Sequence, residues 1–327
     1  MTSNRLREHR LAAEMTQIEV AEAIKVTQPT YQRWEKGAQV PPAKIKALAK
    51  LFNSTEDRLL GVNAPIVAAF YDDTAPTEHQ YYGEVSFHFA SGGKPLVLSI
   101  SEEVRVQFSR AMMGSSYFIP IRSLTNQLVA IRRDAIADIY FCSEAHDDYG
   151  PEHETYERPS NLQYPDNRDW EIIESIVLDF GETDYDKESL ERLKRAICGP
   201  PKEVIEQDLA SGKVTQEQVD EVKKLVEKNL DEAEKLSLRC VYQLSSGARR
   251  ELSFESERKM YDAFSDIFDG KYIPTFGARY IQAVPYHHYL FLNPAAVDFI
   301  SVPTHRYQIG LAAAEAGEDD DDDDDWE

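Results

Sequence analysis

The sequence predicts a multi-domain protein: a small all-α unit of five helices, then an α+β body with a duplicated ββαβββ unit and a helical insertion. Three observations predict it. Apolar residues recur every three or four positions through the first sixty residues. From Val85 the period falls to two, as in Val85-Ser86-Phe87-His88-Phe89, and similar alternation returns after residue 240. A length of 327 residues suits two or three domains.

The helical unit is the most specific part of the chain. Thr16 stands three residues before Glu19, a capping box that starts a helix. Ile18, Ala21 and Ile24 then fall on one face and are expected to be buried. Lys25-Val26-Thr27 breaks the helix, and the Thr27 hydroxyl is placed to cap the next. That next helix, Gln28 to Lys36, turns Tyr31 and Trp34 inward and Gln28, Thr30, Gln32 and Arg33 outward. Glutamine and arginine grip adenine and guanine edges with two hydrogen bonds each. Two short helices around a tight turn, the second polar on its free face, form a helix-turn-helix suited to a major groove. Leu6, Arg10 and Met15 fit a preceding helix. Pro41-Pro42 opens a fourth, with Ile45, Leu48 and Leu51 as its stripe, and Asn53-Ser54-Thr55 caps a short fifth ending at Leu59-Leu60-Gly61.

Residues 5–61 resemble the XRE family, the lambda repressor/Cro type of helix-turn-helix, through LREHR (6–10), MTQIEVAEAI (15–24), TQPTYQRWEKG (27–37) and LAKLFNSTEDRLLG (48–61). The resemblance implies a DNA-binding unit. Gln17 would touch a phosphate and brace the recognition helix. Gln28, Thr30, Gln32 and Arg33 would face DNA, with Lys36 as a further cation, and Arg10 would pair with Glu35. The chain departs from the family at Lys25, where a turn glycine is usual, which should make the turn less sharp. Pro29 removes a side chain that often reads bases, and His9 and Glu14 replace a leucine and a glycine. The function implied is a sequence-specific transcriptional regulator binding double-stranded DNA as a homodimer. The alternative is an autoregulating interaction protein, antitoxin-like or from a mobile element, whose body over 81–307 binds a protein partner.

The net charge of −22 at first opposes a nucleic-acid partner, but its distribution does not. Residues 1–62 carry ten Lys/Arg against seven Asp/Glu, about +3, and the remainder carries about −25. Repulsion from the remainder is screened beyond about 8 Å at physiological salt. No apolar run approaches the length of a membrane span, and the N-terminal MTSNRLREHR has no signal-peptide core. Cys142, Cys198 and Cys240 lie far apart and read as reduced thiols. These features predict a cytoplasmic, nucleoid-associated protein with no membrane partner.

The remaining boundaries follow composition. Residues 63–80 read as a linker, 81–183 as a first α+β unit with an acidic loop over 144–168, and 184–236 as a helical insertion. Residues 237–307 form a second α+β unit and 308–327 a disordered acidic tail. In the first unit strands are expected at Val85–Phe89, Leu96–Ile100, Tyr117–Ile121, Leu128–Ile131 and Ile136–Phe141, with a helix from Ser101 to Met112. The second repeats this with strands at Cys240–Leu244, Glu251–Phe254, Tyr280–Val284, Tyr289–Leu292 and Val297–Val302, and a helix from Ser256 to Phe268. The closest words are VAIRRDAIADI (129–139) with LFLNPAAVDFI (290–300), and QFSRAM (107–112) with AFSDIF (263–268). Duplication is the reading; chance likeness of two α+β segments is its alternative. Two such units could pack as a pseudo-dimer with sheet edges open for pairing. Between the two copies, Trp170–Phe180 reads as a strand and 187–197 and 202–236 as helices that cover a sheet or form a dimerisation arm. The aspartate run at 319–325 repels itself and predicts disorder. It would serve solubility, mimic DNA against Arg33 and Lys36, or contact a protein through Trp326.

No nucleotide-binding, zinc-protease or serine-hydrolase motif occurs, so neither a catalytic role nor a cofactor is expected. His287 and His288 are adjacent on an expected strand and point to opposite faces. His146-Asp147-Asp148 and His153-Glu154 lack a recognised ligand spacing, so no metal is expected either.

Overall fold

The structure is a computed structural model. It describes residues 6–317 except 14, 36–37, 39, 53, 55, 61–80, 144–149, 152–154, 180–184, 275–277 and 283–288. The linker at 63–80, both of the acidic loop's histidine motifs, His287-His288 and the aspartate run lie outside the described residues. Packing divides the chain into two units, residues 1–66 with 180–190 and residues 67–179 with 191–327.

The first unit holds α1 (Leu6–Ala12), α2 (Gln17–Ala23), α3 (Gln28–Glu35), α4 (Pro42–Leu51) and α5 (Glu56–Leu59). Pro41 and Pro42 start α4 as expected of prolines in a first turn. Leu6, Val20, Ala21, Ile24, Tyr31, Trp34, Ile45, Leu48 and Leu59 meet in one core. One expected core residue is outside it: Ile18 is 52% exposed. Gln17 turns toward Glu35, so the buried stripe runs through 17, 20, 21 and 24 and Ile18 rotates to solvent.

The body begins with β1 (Tyr81–Phe89), β2 (Leu96–Ser101), α6 (Glu102–Met112), β3 (Phe118–Arg122), β4 (Gln127–Arg132), a 3-10 turn at Arg133–Ala135, and β5 (Ile136–Ser143). Four helices follow: α7 (Asn167–Val177), α8 (Lys187–Cys198), α9 (Lys202–Ala210) and α10 (Gln216–Leu238). Then come β6 (Cys240–Leu244), β7 (Arg249–Leu252), α11 (Glu257–Phe268), β8 (Arg279–Gln282), β9 (Tyr289–Leu292), a 3-10 turn at Pro294–Ala296, β10 (Val297–Pro303) and α12 (Thr304–Ala316). All strand pairs are antiparallel. The sheets run β2-β1-β5, β3-β4-β10-β6-β7 and β8-β9. One core lies among β1, β2, α6, β3 and β4, the other among β6, α11, β8, β9 and β10.

Three readings of the sequence need correction. Trp170–Phe180 is not a strand: residues 167–177 form α7, started by Asp166, whose carboxylate accepts from Arg168 N at 2.9 Å. Trp170 and Ile173 at i, i+3 are buried, so the helical period prevails over the apparent alternation. Residues 202–236 are two helices, because Gly212 takes a left-handed φ of 69° and Thr215 starts α10 with its own capping box. The tail does not begin at 308. Alanine-rich Leu311–Ala316 extends α12. Gly317, at φ 71°, ends it. Helices α11 and α12 pack so closely that a Cβ on Gly310 would sit 2.2 Å from the Glu257 carbonyl oxygen.

A buried polar knot fixes α7, α10 and α12 to the β3–β4 turn. Asn126 holds a left-handed φ of 62° in that turn. Its Nδ2 donates to the Leu236 carbonyl at 2.8 Å, its own carbonyl accepts from Thr304 N at 2.8 Å, and its Oδ1 accepts from His305 N at 3.1 Å. His305 Nε2 lies 2.7 Å from Glu174, and Arg306 grips the same carboxylate with Nε at 2.9 Å and Nη2 at 2.7 Å. Burial alone would raise the Glu174 carboxyl, but the bonds from Arg306 and His305 outweigh it and hold the pKa at about 2.

A carboxylate depressed from 4.5 stabilises the fold fully above pH 4.5 and loses that contribution as pH falls toward 2. We expect Glu174→Gln to cost on the order of 3 kcal/mol at pH 7. The wild-type advantage should narrow by about 2 kcal/mol at pH 3. Urea unfolding of both proteins at the two pH values measures this, and a pH-independent gap would remove the ion pair from the account.

Candidate nucleic-acid interface

The helix-turn-helix is built from local caps inward. Thr16 Oγ1 accepts from Glu19 N at 3.3 Å while Glu19 Oε2 accepts from Thr16 N at 2.7 Å, which closes the expected capping box. The Thr16 N–H and the Thr16 hydroxyl, the latter at 2.8 Å, both donate to Glu19 Oε2 and hold the Glu19 carboxyl below its usual range. Helix α2 ends with Ile24 N donating to Val20 O, Val26 N donating to Ala21 O, and Lys25 in the left-handed region at φ 56°. The turn therefore keeps the conformation a glycine would take, at a steric cost of about 1–2 kcal/mol, and is not blunted by lysine. Lys44 Nζ donates to the carbonyls of Ile24 at 2.7 Å and Lys25 at 3.3 Å. A cation at these unpaired carbonyls opposes the negative end of α2. Sequence reading missed Lys44, since nothing near position 44 signals a contact twenty residues back.

Helix α3 starts on the Thr27 carbonyl, which accepts from Thr30 N and Tyr31 N. The Thr27 hydroxyl meets the Thr30 hydroxyl at 2.8 Å. Thr30 is thus drawn toward the turn and half-buried, less outward than its spacing suggested. Tyr31 and Trp34 are buried as expected. Burial pushes the Tyr31 phenol up, and its hydroxyl donates to the Leu6 carbonyl at 3.4 Å.

One carboxylate holds three helices. Glu35, at the end of α3, accepts from Arg10 Nε at 2.6 Å and from Gln17 Nε2 at 2.6 Å. Arg10 Nη1 also donates to the Met15 carbonyl at 3.0 Å. The Glu35 bond holds the Arg10 guanidinium above its ordinary range, and both side chains are nearly buried. Gln17 therefore braces α2 against α3.

The outer face of α3 contrasts with this. Gln28, Gln32 and Arg33 are exposed. Arg33 Nε donates back to the Pro29 carbonyl at 3.4 Å, which steers the guanidinium along the helix. Gln28 and Gln32, four residues apart, adjoin on one face, and Arg33 lies about 100° further round the helix. Lys36 lies outside the described residues. Among the described residues no group of three or more His, Cys, Asp or Glu side chains is placed to hold a metal ion. No described helix is long and apolar enough to cross a membrane.

The helix-turn-helix family model matches residues 6–59, from α1 to the end of α5. No curated protein and no solved structure matches the chain.

Removing Glu35 leaves Arg10 nearly buried without its carboxylate. We expect Glu35→Ala to speed hydrogen exchange of the most protected α1–α3 amides by about 30- to 150-fold, a loss of about 2–3 kcal/mol. Body amides should be unchanged. A change below about twofold would show that the brace contributes nothing to the helices it joins.

Proposed function

We propose that this protein is a sequence-specific transcriptional regulator that reads the major groove of double-stranded DNA with α3 and acts as a homodimer on a two-fold site. The observation that carries the reading is the division of α3 into two faces. Tyr31, Trp34 and Glu35 are committed inward, while Gln28, Gln32 and Arg33 face solvent. These are the side chains that discriminate adenine and guanine edges. Gln17, Thr30 and Lys36 are assigned to the flanking backbone, where contacts position the helix without reading sequence. A unit of about +3 gives modest affinity per copy, which favours two copies on adjacent half-sites. The reading places the protein in the cytoplasm, on the nucleoid, and gives the α+β body a role in assembly rather than catalysis.

We further infer that the body is an internal duplication. The order β-β-α-β-β-turn-β occurs twice, and β5-β1-β2 has the same neighbour relations as β10-β6-β7. The β1–β2 and β6–β7 turns meet reciprocally. A Cβ on Gly93 would lie 2.9 Å from Gly247 Cα, and one on Gly247 would lie 3.1 Å from Gly93 Cα. Reciprocal contacts of this kind are what a two-fold relation produces.

Genome-wide occupancy of the intact protein, compared with an Arg33→Ala, Gln28→Ala variant, tests the reading. Many sharp sites lost in the variant support a regulator. A single site at its own promoter would instead favour an autoregulated interaction protein, and no sites would overturn DNA binding. On the recovered site, Arg33→Ala should weaken binding by about 1–3 kcal/mol, roughly 5- to 150-fold. Unchanged affinity would show that Arg33 reads no base.

A further inference from the structure

The two halves of the body are unequally complete. In the five-stranded sheet the hairpin of the first half, β3–β4, joins the second half through β4 and β10. Under the repeat, β9 corresponds to β4 and β5 to β10. Among the described residues the equivalent join, β9 on β5, is missing: β5 ends one sheet and β8-β9 stand as another. The burial of the two central strands follows suit. All seven residues of β10 are buried, whereas β5 is mostly half-buried or exposed.

The faces are unequal in the same sense. Phe118 and Ala130 of the β3–β4 hairpin are buried with Phe264, Ile267 and Phe268 of α11. The counterpart of Ala130 on the β8–β9 hairpin is at the surface: Phe291 is 67% exposed, with its ring 5.5 Å from that of its cross-strand neighbour Tyr280. The helix that should cover them is α6, whose Phe108, Ala111 and Met112 align with Phe264, Ile267 and Phe268. On α6 only Phe108 is buried, and Met113 just beyond it is 88% exposed.

We propose that the β8–β9 hairpin of one copy docks on a second copy, with β9 pairing to the partner's β5 and the exposed Phe291 covered by the partner's α6. The occupant is a second copy because the hairpin is anchored in its own chain. Ile281 and Leu292, on its opposite face, are buried in the core around α11. Arg279 Nη1 donates to the Ala263 carbonyl at 2.5 Å, and the same guanidinium pairs with Asp266. Strand β5 belongs to the other core and lies next to β1, not β9. Each copy offers one hairpin and one open edge, so the exchange is reciprocal and closes a two-fold dimer. Open edges carrying exposed apolar residues are templates for such pairing. The register follows from Phe299↔Ile131, Ile300↔Ala130 and Ser301↔Val129. Transferred through the repeat, it sets Asp138 opposite Leu292, Ile139 opposite Phe291 and Tyr140 opposite Leu290. This inference rests on the homodimeric reading above and names the interface it requires.

The register can be trapped. Directly opposed residues of an antiparallel pair lie about 4.5–5.5 Å apart at Cα, within disulfide reach. In the full chain with Cys198→Ser, which removes the exposed thiol and leaves Cys142 and Cys240 buried, Ile139→Cys and Phe291→Cys are made as separate variants. One carries a size tag, and the two are coexpressed and oxidised without DNA. The expected result is a tagged–untagged crosslink, absent when either variant is alone. A double variant that instead crosslinks at monomer mass would overturn the second copy as occupant, because the hairpin would then close on its own β5. No crosslink at either mass would overturn the pairing. As a second readout, Phe291→Asp should weaken the dimer at least tenfold in sedimentation equilibrium, and an unchanged dimer constant would equally overturn the proposal. Both measurements omit DNA. A lost interface with operator sites retained defeats this inference alone, and an intact dimer without operator sites defeats the DNA reading alone.

Discussion

The body depends on β10 and on the one buried carboxylate it carries. This strand is paired on both edges, to β4 of the first half and β6 of the second, and is buried along its whole length. Asp298 sits in it at a bulge between Val297 and Phe299. A carboxylate without exposure is costly unless every oxygen is engaged. Here Ser91 Oγ donates at 2.7 Å, Ser245 Oγ at 3.0 Å and Gln243 Nε2 at 3.2 Å, with Arg132 3.6 Å away. Ser91 belongs to the β1–β2 turn and Ser245 to the β6–β7 turn. The desolvation of one charge is thus offset only if both hairpin turns arrive together. That requirement explains why residues 93 and 247 are glycines: the turns are too close for a side chain on either.

The N-terminal unit uses the same device at smaller scale. Glu35 is acceptable near the core because Arg10 and Gln17 satisfy it, and satisfying it fixes the angle between α2 and α3. The committed face of α3 thereby presents a rigid outer face. On the proposed DNA reading this placement matters, since side chains that hydrogen-bond a base edge in pairs lose little entropy only when their helix is already placed. The steric cost at Lys25 belongs to this picture as well. The left-handed turn is retained without glycine because Lys44 engages its carbonyls from across the core.

Legibility in the sequence followed the range of the interaction. Caps, periods and turns are local, so α2, α3, α4 and most strands could be placed from spacing alone. Ile18 was misjudged because the rotation of α2 is set by Gln17 reaching Glu35, eighteen residues on. Helix α7 was misread because Trp170-Glu171-Ile172 alternates over a few residues before its longer period shows. Helix α12 was cut short because the aspartate run that follows it dominates the composition. The knot at Glu174 could not be read at all. Asn126 and His305 are 179 positions apart, and neither has a neighbour in sequence that announces the other. Gln28, Gln32 and Arg33 of α3 were legible for the opposite reason: a solvent-exposed helix face keeps the pattern its spacing gives it.

The repeat and the charge distribution bear on one question, why so acidic a chain would be built around a weakly basic helical unit. If the two halves of the body were each complete, nothing in it would require a second copy. On the proposed duplication, the β5 edge left open among the described residues and the exposed Phe291 make it incomplete in one specific place. The proposed pairing of two copies would give one assembly two units of about +3. The same acidity acts at short range between bodies, where like charges penalise any approach not compensated by a fitted contact. An edge-strand join with a matched aromatic face is such a contact. In the proposed dimer, the negative charge favours the fitted join over looser association.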